Sequence, residues 1–178
     1  MPMGKGTSKT DPGARNKWRT PDDVFHYLDR RYGPFTLDAA AEEHNAKCDL
    51  WLGPGSPIAE DALTINWDAY SPHRWRKVFI NPPYDHTADW IGYAKGQVLA
   101  RKVGGVTLVV PATTARPWWH DFVYDRHKCQ NQPGVLTEFS KGRIRFLRPD
   151  GTKAGMPNWG SVFVTFYREG QTFPEVEV

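Results

Sequence analysis

Asn81-Pro82-Pro83-Tyr84 is the stretch of this 178-residue chain best equipped for chemistry. The Asn81 side-chain oxygen and the Pro82 carbonyl are two acceptors a few ångströms apart, able to take both hydrogens of one planar amino group. Accepting both draws the nitrogen lone pair out of conjugation and aims it at an electrophile. Tyr84 adds a flat face on which an aromatic base can stack. The set suits alkylation of the exocyclic amine of a base, or of an amide nitrogen. It also suits a plainer role, a Pro-Pro turn after a strand with Asn81 capping the next helix.

The elements that must position these residues are legible on either side. Lys77-Val78-Phe79-Ile80 reads as a short buried strand, rich in β-branched and aromatic side chains. Two prolines cannot continue a sheet ladder, so the strand stops and Asn81 sits at its carboxyl edge. In an open α/β sheet that edge is where ligands bind. Trp90, Ile91, Ala94, Val98 and Leu99 recur at helical spacing over 87–102, predicting a crossover helix ended by Gly104-Gly105. Val106 to Pro111 is apolar throughout and reads as a central strand, with Ala112-Thr113-Thr114 beside the Asn81 edge.

Upstream, Trp18-Arg19-Thr20-Pro21 opens the ordered chain, with Thr20 as N-cap and Pro21 at the first position of a helix over 21–32 ended by Gly33. Phe35-Thr36-Leu37-Asp38 is a strand ending in a carboxylate. The small Ala39-Ala40-Ala41 after it would let a ligand approach the backbone, although the glycine-rich nucleotide fingerprint is absent. Residues 45–60 are loop-rich, with Cys48, Leu50 and Trp51 as anchors of a short strand. A helix is expected around Trp118, Trp119, Phe122 and Val123, and a polar loop over 125–134. Val135–Phe139 and Ile144–Leu147 bracket Lys141-Gly142-Arg143 as strand, turn and strand. A long polar loop over 148–159 precedes a closing strand over 161–168. The expectation is a three-layer α/β sandwich with a mostly parallel sheet and a late antiparallel hairpin. One domain should occupy 17–170, between a disordered tail over 1–16 and a loose tail over 171–178.

Composition narrows the functional classes. Charged residues make up 24% and hydrophobic residues 39%, as in an ordinary globular protein, and no run approaches the roughly 18 apolar residues of a membrane helix. The N-terminus has no apolar secretory stretch, and two cysteines without a CxxC pair fit a reducing, cytoplasmic setting. No metal set is expected, because His44, His73, His86, His120 and His127 are scattered and no paired carboxylates stand at ligand spacing, which also argues against a nuclease. A net charge of +3 permits nucleic-acid binding without demanding it.

Taken together, these stretches resemble the phage Dam-like DNA N6-adenine methyltransferases. The likeness covers most of residues 18–168. It rests on Trp18-Arg19-Thr20-Pro21, Phe35-Thr36-Leu37-Asp38-Ala39-Ala40 with Asn45-Ala46-Lys47-Cys48, Asp61-Ala62-Leu63 with Trp67, Asn81-Pro82-Pro83-Tyr84, and Gly142-Arg143-Ile144. The resemblance implies a Rossmann-like class I methyltransferase that uses S-adenosyl-L-methionine. It puts Asp38, Ala39 and Ala40 at the cofactor turn, Thr20 and Pro21 near the methionine moiety, Asp61 and Ala62 at the cofactor adenine, and Trp18 among the cofactor-binding residues. The same resemblance implies that Asn81, Pro82, Pro83 and Tyr84 hold the target adenine, with Asn81 also bordering the cofactor. Many methyltransferases carry glycine where this chain has the Ala39–Ala41 run.

The expected activity is methyl transfer to N6 of an adenine flipped from double-stranded DNA, by a chain expected to act as a monomer. Arg116, Lys141, Arg143 and Arg145 are the candidates for holding DNA, with Trp118 and Trp119 as wedges or stacking faces. The loops 125–134 and 148–159 are the candidates for recognising a short or relaxed site. Methylation of RNA adenine or of a protein amide would share this pocket. A catalytically inactive DNA-binding protein on the same scaffold is the remaining alternative.

Overall fold

The computed structural model describes residues 12–69 and 76–173. Its elements in chain order are α1 (Pro12–Arg15), α2 (Asp22–Tyr32), β1 (Phe35–Asp38), β2 (Leu50–Trp51), β3 (Lys77–Ile80), α3 (Thr87–Leu99) and β4 (Gly105–Pro111). A π-helical turn (Trp119–Val123), β5 (Tyr124–Asp125), β6 (Gln130–Asn131), β7 (Val135–Phe139) and β8 (Ser161–Tyr167) follow. Six strands form one sheet in the order β2-β1-β3-β4-β8-β7, and β5 pairs with β6 apart from it. The first four are parallel, with Ile80 opposite Leu108. β8 runs antiparallel to both β4 and β7, giving the late antiparallel hairpin.

Side-chain alternation sorts the sheet into two faces. Val78, Ile80, Val106, Leu108, Val162 and Val164 point to α3, which meets them with Trp90, Ile91, Ala94 and Val98. Phe79, Val109 and Phe163 point to α2 and its Phe25, Leu28 and Tyr32. All seven residues of β4 are buried, as its apolar side chains require, and the one hydroxyl among them, on Thr107, meets that of Thr165. Each fully buried aliphatic side chain there contributes about 1.5–3 kcal/mol. The α2 layer is further tied to the sheet edge, where the Tyr27 and Tyr32 hydroxyls both donate to the Glu138 carboxylate on β7. Among the described residues no helix is long and apolar enough to cross a membrane.

Four local expectations are corrected. Ile144–Leu147 is not the partner of Val135–Phe139; β7 pairs with β8, and Leu147 makes only isolated bridges to Arg19 and Lys153. Arg143 and Arg145 point out while Ile144 and Phe146 point in, which mimics a strand. The longer β8, apolar on both faces, takes the β7 edge instead. Thr20 does not cap α2: its hydroxyl has no partner, and Phe25 N donates to the Pro21 carbonyl. α3 stops at Leu99, before the glycines, because Arg101 takes a left-handed φ of 59° that helix cannot continue. The helix expected at 118–123 is a single π turn.

Of the expected tails, residues 1–11 and 174–178 lie outside the described residues. Residues 12–16 include α1 and an Asn16–Asp85 hydrogen bond, and Phe173 packs against Tyr32 and Tyr167.

Candidate active site

The parallel strands deliver Asp38, Asn81 and Pro111 to one edge of the sheet, at the ends of β1, β3 and β4. Because β7 runs parallel to β4 and β8 runs back, the connector over 140–160 must cross that same edge. The opening segment crosses it too. Arg19 and Leu147 exchange both backbone hydrogen bonds, at 2.8 and 2.9 Å, so that segment and connector form one wall.

Against this wall the Asn81 amide is fixed. Its Nδ2 donates to the Trp18 carbonyl at 2.7 Å. A carbonyl can only accept, so the nitrogen must face Trp18 and Oδ1 must face the other way. Oδ1 is buried and has no hydrogen-bond partner. The Thr20 hydroxyl beside it is likewise buried and unpartnered, on a residue only 2% exposed. Each such atom costs about 1–3 kcal/mol when left unpaired. Two together at a sheet's carboxyl edge mark a place that a ligand completes.

Asp38 shapes the turn beside them. Its carboxylate accepts from Ala40 N at 3.2 Å and Lys47 N at 3.0 Å, holding the 40–47 loop under the strand end. Burial disfavours its charge and pushes its pKa up to about 6, against the opposing pull of those two backbone donors. Asp38, Thr20, Trp18 and Asn81 line a small hollow of about 20 Å³. Next to it a cavity of about 300 Å³ is lined by Ala39, Ala40, Asp61, Ala62, Asn81 and Trp90, among others. Asp61 caps the turn Ala62–Thr64 with one carboxylate oxygen, donated to by Leu63 N at 2.9 Å, and is exposed. Gly53, also on the cavity, has φ +141°, and a Cβ there would stand 2.0 Å from the Ala41 carbonyl oxygen. Only glycine lets these two loops close the cavity floor. Pro21 borders neither space directly; its part is to start α2 through its carbonyl.

On the other side of Tyr84 lies a hollow of about 540 Å³, lined by Arg15, Tyr84, Thr113, Arg116, Trp118 and Trp159, among others. Burial drives the Tyr84 phenol well above its ordinary pKa. Arg116, Lys141, Arg143 and Arg145 are all exposed, Arg116 on this hollow and the other three on the connector. Trp118 and Trp119, expected as wedges or stacking faces, do not stand free on the surface. They are 7% and 5% exposed, set edge to face, and packed in the core against the α3 side. Their rings serve packing, with only Trp118 reaching the hollow.

Sequence reasoning missed Trp90, Gly53, Trp159 and Phe146 at this edge. Trp90 carried a helical-core signal and Gly53 a turn signal, both correct as far as they go. Trp159 and Phe146 carried none that pointed here, since both reach the site through a connector without regular structure. Among the described residues no group of three or more His, Cys, Asp or Glu could hold a metal ion.

The fold is that of a Rossmann-like methyltransferase. It superposes on the crystal structure of 23S rRNA methyltransferase ErmE with a TM-score of 0.52 and 17% identity, covering 90% of this chain and 73% of that one. Residues 7–173 match the family described as DNA N-6-adenine-methyltransferase (Dam), and the chain belongs to that family. A DNA N-6-adenine-methyltransferase of Escherichia phage T1 is 30% identical over 115 residues, 65% of this chain but only 43% of the phage protein. One from Haemophilus phage HP1 (strain HP1c1) is 27% identical over 162 residues, covering 89% of this chain and 83% of that protein.

Proposed function

We propose that the protein transfers a methyl group from S-adenosyl-L-methionine to N6 of an adenine in double-stranded DNA. The observation that carries this reading is the buried, unpartnered Asn81 Oδ1, held outward because its Nδ2 is committed to Trp18. With the Pro82 carbonyl it supplies the two acceptors that an exocyclic amine needs. The family, and the names of the phage relatives, support adenine in DNA as the amine's source.

The residues at the edge fit the cofactor. The 300 Å³ cavity has alanine walls and lies within the ordinary size of small-molecule sites. The unpartnered Thr20 hydroxyl offers a donor or acceptor to the methionine end, with Trp18 lining the same hollow, while Pro21 contributes only by starting α2. Asp61 has one carboxylate oxygen uncommitted for the nucleoside end, with Ala62 beneath. Asp38 acts by holding the Ala39–Ala40 turn in shape. S-adenosyl-L-methionine bound there supplies a methyl carbon already activated by its sulfonium.

The chain's own work is orientation. Asn81 and Pro82 pyramidalise the amine and fix its line of approach, which is where most of the acceleration arises. No side chain needs to act as base, because the alkylated amine is a strong acid and loses its proton to water. Tyr84 offers its ring to the base after flipping, in place of the lost stacking. Arg116, Lys141, Arg143 and Arg145 supply the positive charge that holds the duplex.

The test is transfer of labelled methyl to unmethylated bacterial DNA, with the product nucleoside identified. Label should appear in N6-methyladenine, and Asn81→Ala should lower kcat by roughly 100- to 1,000-fold, as loss of an oriented polar group in a dry site does. Label in RNA or protein but not in DNA would overturn the substrate; binding of cofactor without transfer to any of them would overturn the activity.

A further inference from the structure

Four aromatic rings meet at the site, and one of them, Trp18, lies nearly parallel to two others. Trp18 stacks on Phe146 at 5.7 Å with planes 19° apart, and on Trp159 at 6.3 Å with planes 25° apart. The Tyr84 ring stands across all three: 88° to Trp18, 76° to Phe146 and 80° to Trp159, with centroids 6.0–6.5 Å away. A ring set perpendicular to one neighbour can still rock about the contact. A ring set perpendicular to three is confined, and each pair contributes about 0.5–1.5 kcal/mol beyond area burial.

Two of these rings come from the connector, and neither is part of the Asn81–Tyr84 motif. Phe146 is fully buried, between the exposed Arg145 and the Leu147 backbone that pairs with Arg19. Trp159 ends the connector just before β8, and the Arg15 guanidinium lies over its ring at 5.0 Å. The same wall carries the Trp18 carbonyl that orients Asn81. Moving the wall therefore moves the Tyr84 ring and the Asn81 acceptor together.

We infer that Phe146 and Trp159 are positioning residues, which hold the Tyr84 ring and, through Trp18, the Asn81 amide in the arrangement used for methyl transfer. The connector is thus part of the catalytic apparatus, with arginines on its outer side and the ring clamp on its inner side. This rests on the proposed methyl transfer for its kinetic consequence, but the confinement of Tyr84 does not.

The experiment uses the full chain in four forms: wild type, Phe146→Leu, Trp159→Leu and Trp159→Phe, each checked for an unchanged melting transition. With unmethylated bacterial DNA, the two leucine variants should lose about tenfold or more in kcat, as displacement of a positioned group by a fraction of an ångström does. KM for S-adenosyl-L-methionine should change by less than kcat does, because neither ring itself lines the cofactor cavity and only Trp18 and Asn81 pass their effect to it. Trp159→Phe keeps a flat ring and should keep most of kcat. In parallel, 3-fluorotyrosine is incorporated and the Tyr84 resonance assigned by its disappearance in Tyr84→Phe. That resonance should shift or broaden in both leucine variants and stay near its wild-type position in Trp159→Phe. Unchanged kcat, a parallel rise in cofactor KM, or an unmoved Tyr84 resonance would overturn the inference. If the wild type methylates no DNA, the functional proposal fails, and the fluorine signal still decides whether the two rings position Tyr84.

Discussion

The two faces of the sheet are built from different materials. The α3 face is largely aliphatic, layered from Val78, Ile80, Val106, Leu108, Val162 and Val164 under Ile91 and Ala94. The smaller α2 face is aromatic in six of its ten buried residues: Trp18, Phe25, Tyr32, Phe79, Phe146 and Phe163. Aliphatic side chains fill a layer by interdigitating, so that face is a jigsaw sensitive to lost volume. Planar rings pack by angle, and a chain of them can carry an orientation from the core to the surface. The aromatic face does so, since its Trp18 and Phe146 are also the rings that meet Tyr84. One face provides rigidity, and the other passes it to the site.

The largest effect should come from breaking the aliphatic face. Ile91→Ala, fully buried on α3, should cost about 2–5 kcal/mol in urea unfolding. Methyl transfer per folded molecule should be unchanged; a fall in kcat would mean that the two faces are not separable in this way.

A second effect belongs to the rim between the faces, where a carboxylate is buried. Asp38 has a folded pKa raised to about 6 from 3.8, so between those values the folded protein holds the proton more tightly than the unfolded chain. Its contribution is therefore present at low pH and lost as pH rises, by about 3 kcal/mol in total. This is the reverse of a salt-bridged carboxylate. Unfolding measured between pH 4 and 7 should show wild type losing stability relative to Asp38→Asn. A flat difference would show that the two backbone donors offset burial.

The smallest effect probes a polar contact between strands on the aromatic side. The Thr107 and Thr165 hydroxyls meet at 2.9 Å in the core. Thr107→Val alone should cost about 1–3 kcal/mol by orphaning Thr165, whereas replacing both by Val should be close to neutral. A double-mutant cycle on thermal unfolding reads the coupling directly. Additive costs would mean that the hydroxyls contribute no mutual bond.

Much of this is legible in the amino-acid sequence. Apolar runs set β1, β3, β4 and β8, and the prolines after Ile80 put Asn81 at a strand end. These are local statements, resting on side-chain period and on what proline cannot do. The misreadings were also local in origin. Residues 144–147 alternate like a strand, but whether they pair depends on which segment holds the β7 edge, and β8 holds it. Trp118 and Trp119 read as aromatic next to a basic residue, and nothing in their neighbours says that the α3 layer buries them.

The sequence alone thus determined the alternation of strands and helices, the sheet edge at which the site stands, and the residue types able to grip an amine. Tertiary structure decided how that grip is aimed. The Asn81 amide takes its direction from a carbonyl 63 residues earlier in the chain. Tyr84 takes its direction from rings at 18, 146 and 159. Such contacts join segments with no common period or motif, and they exist only once the sheet has brought its carboxyl edge, opening segment and connector together.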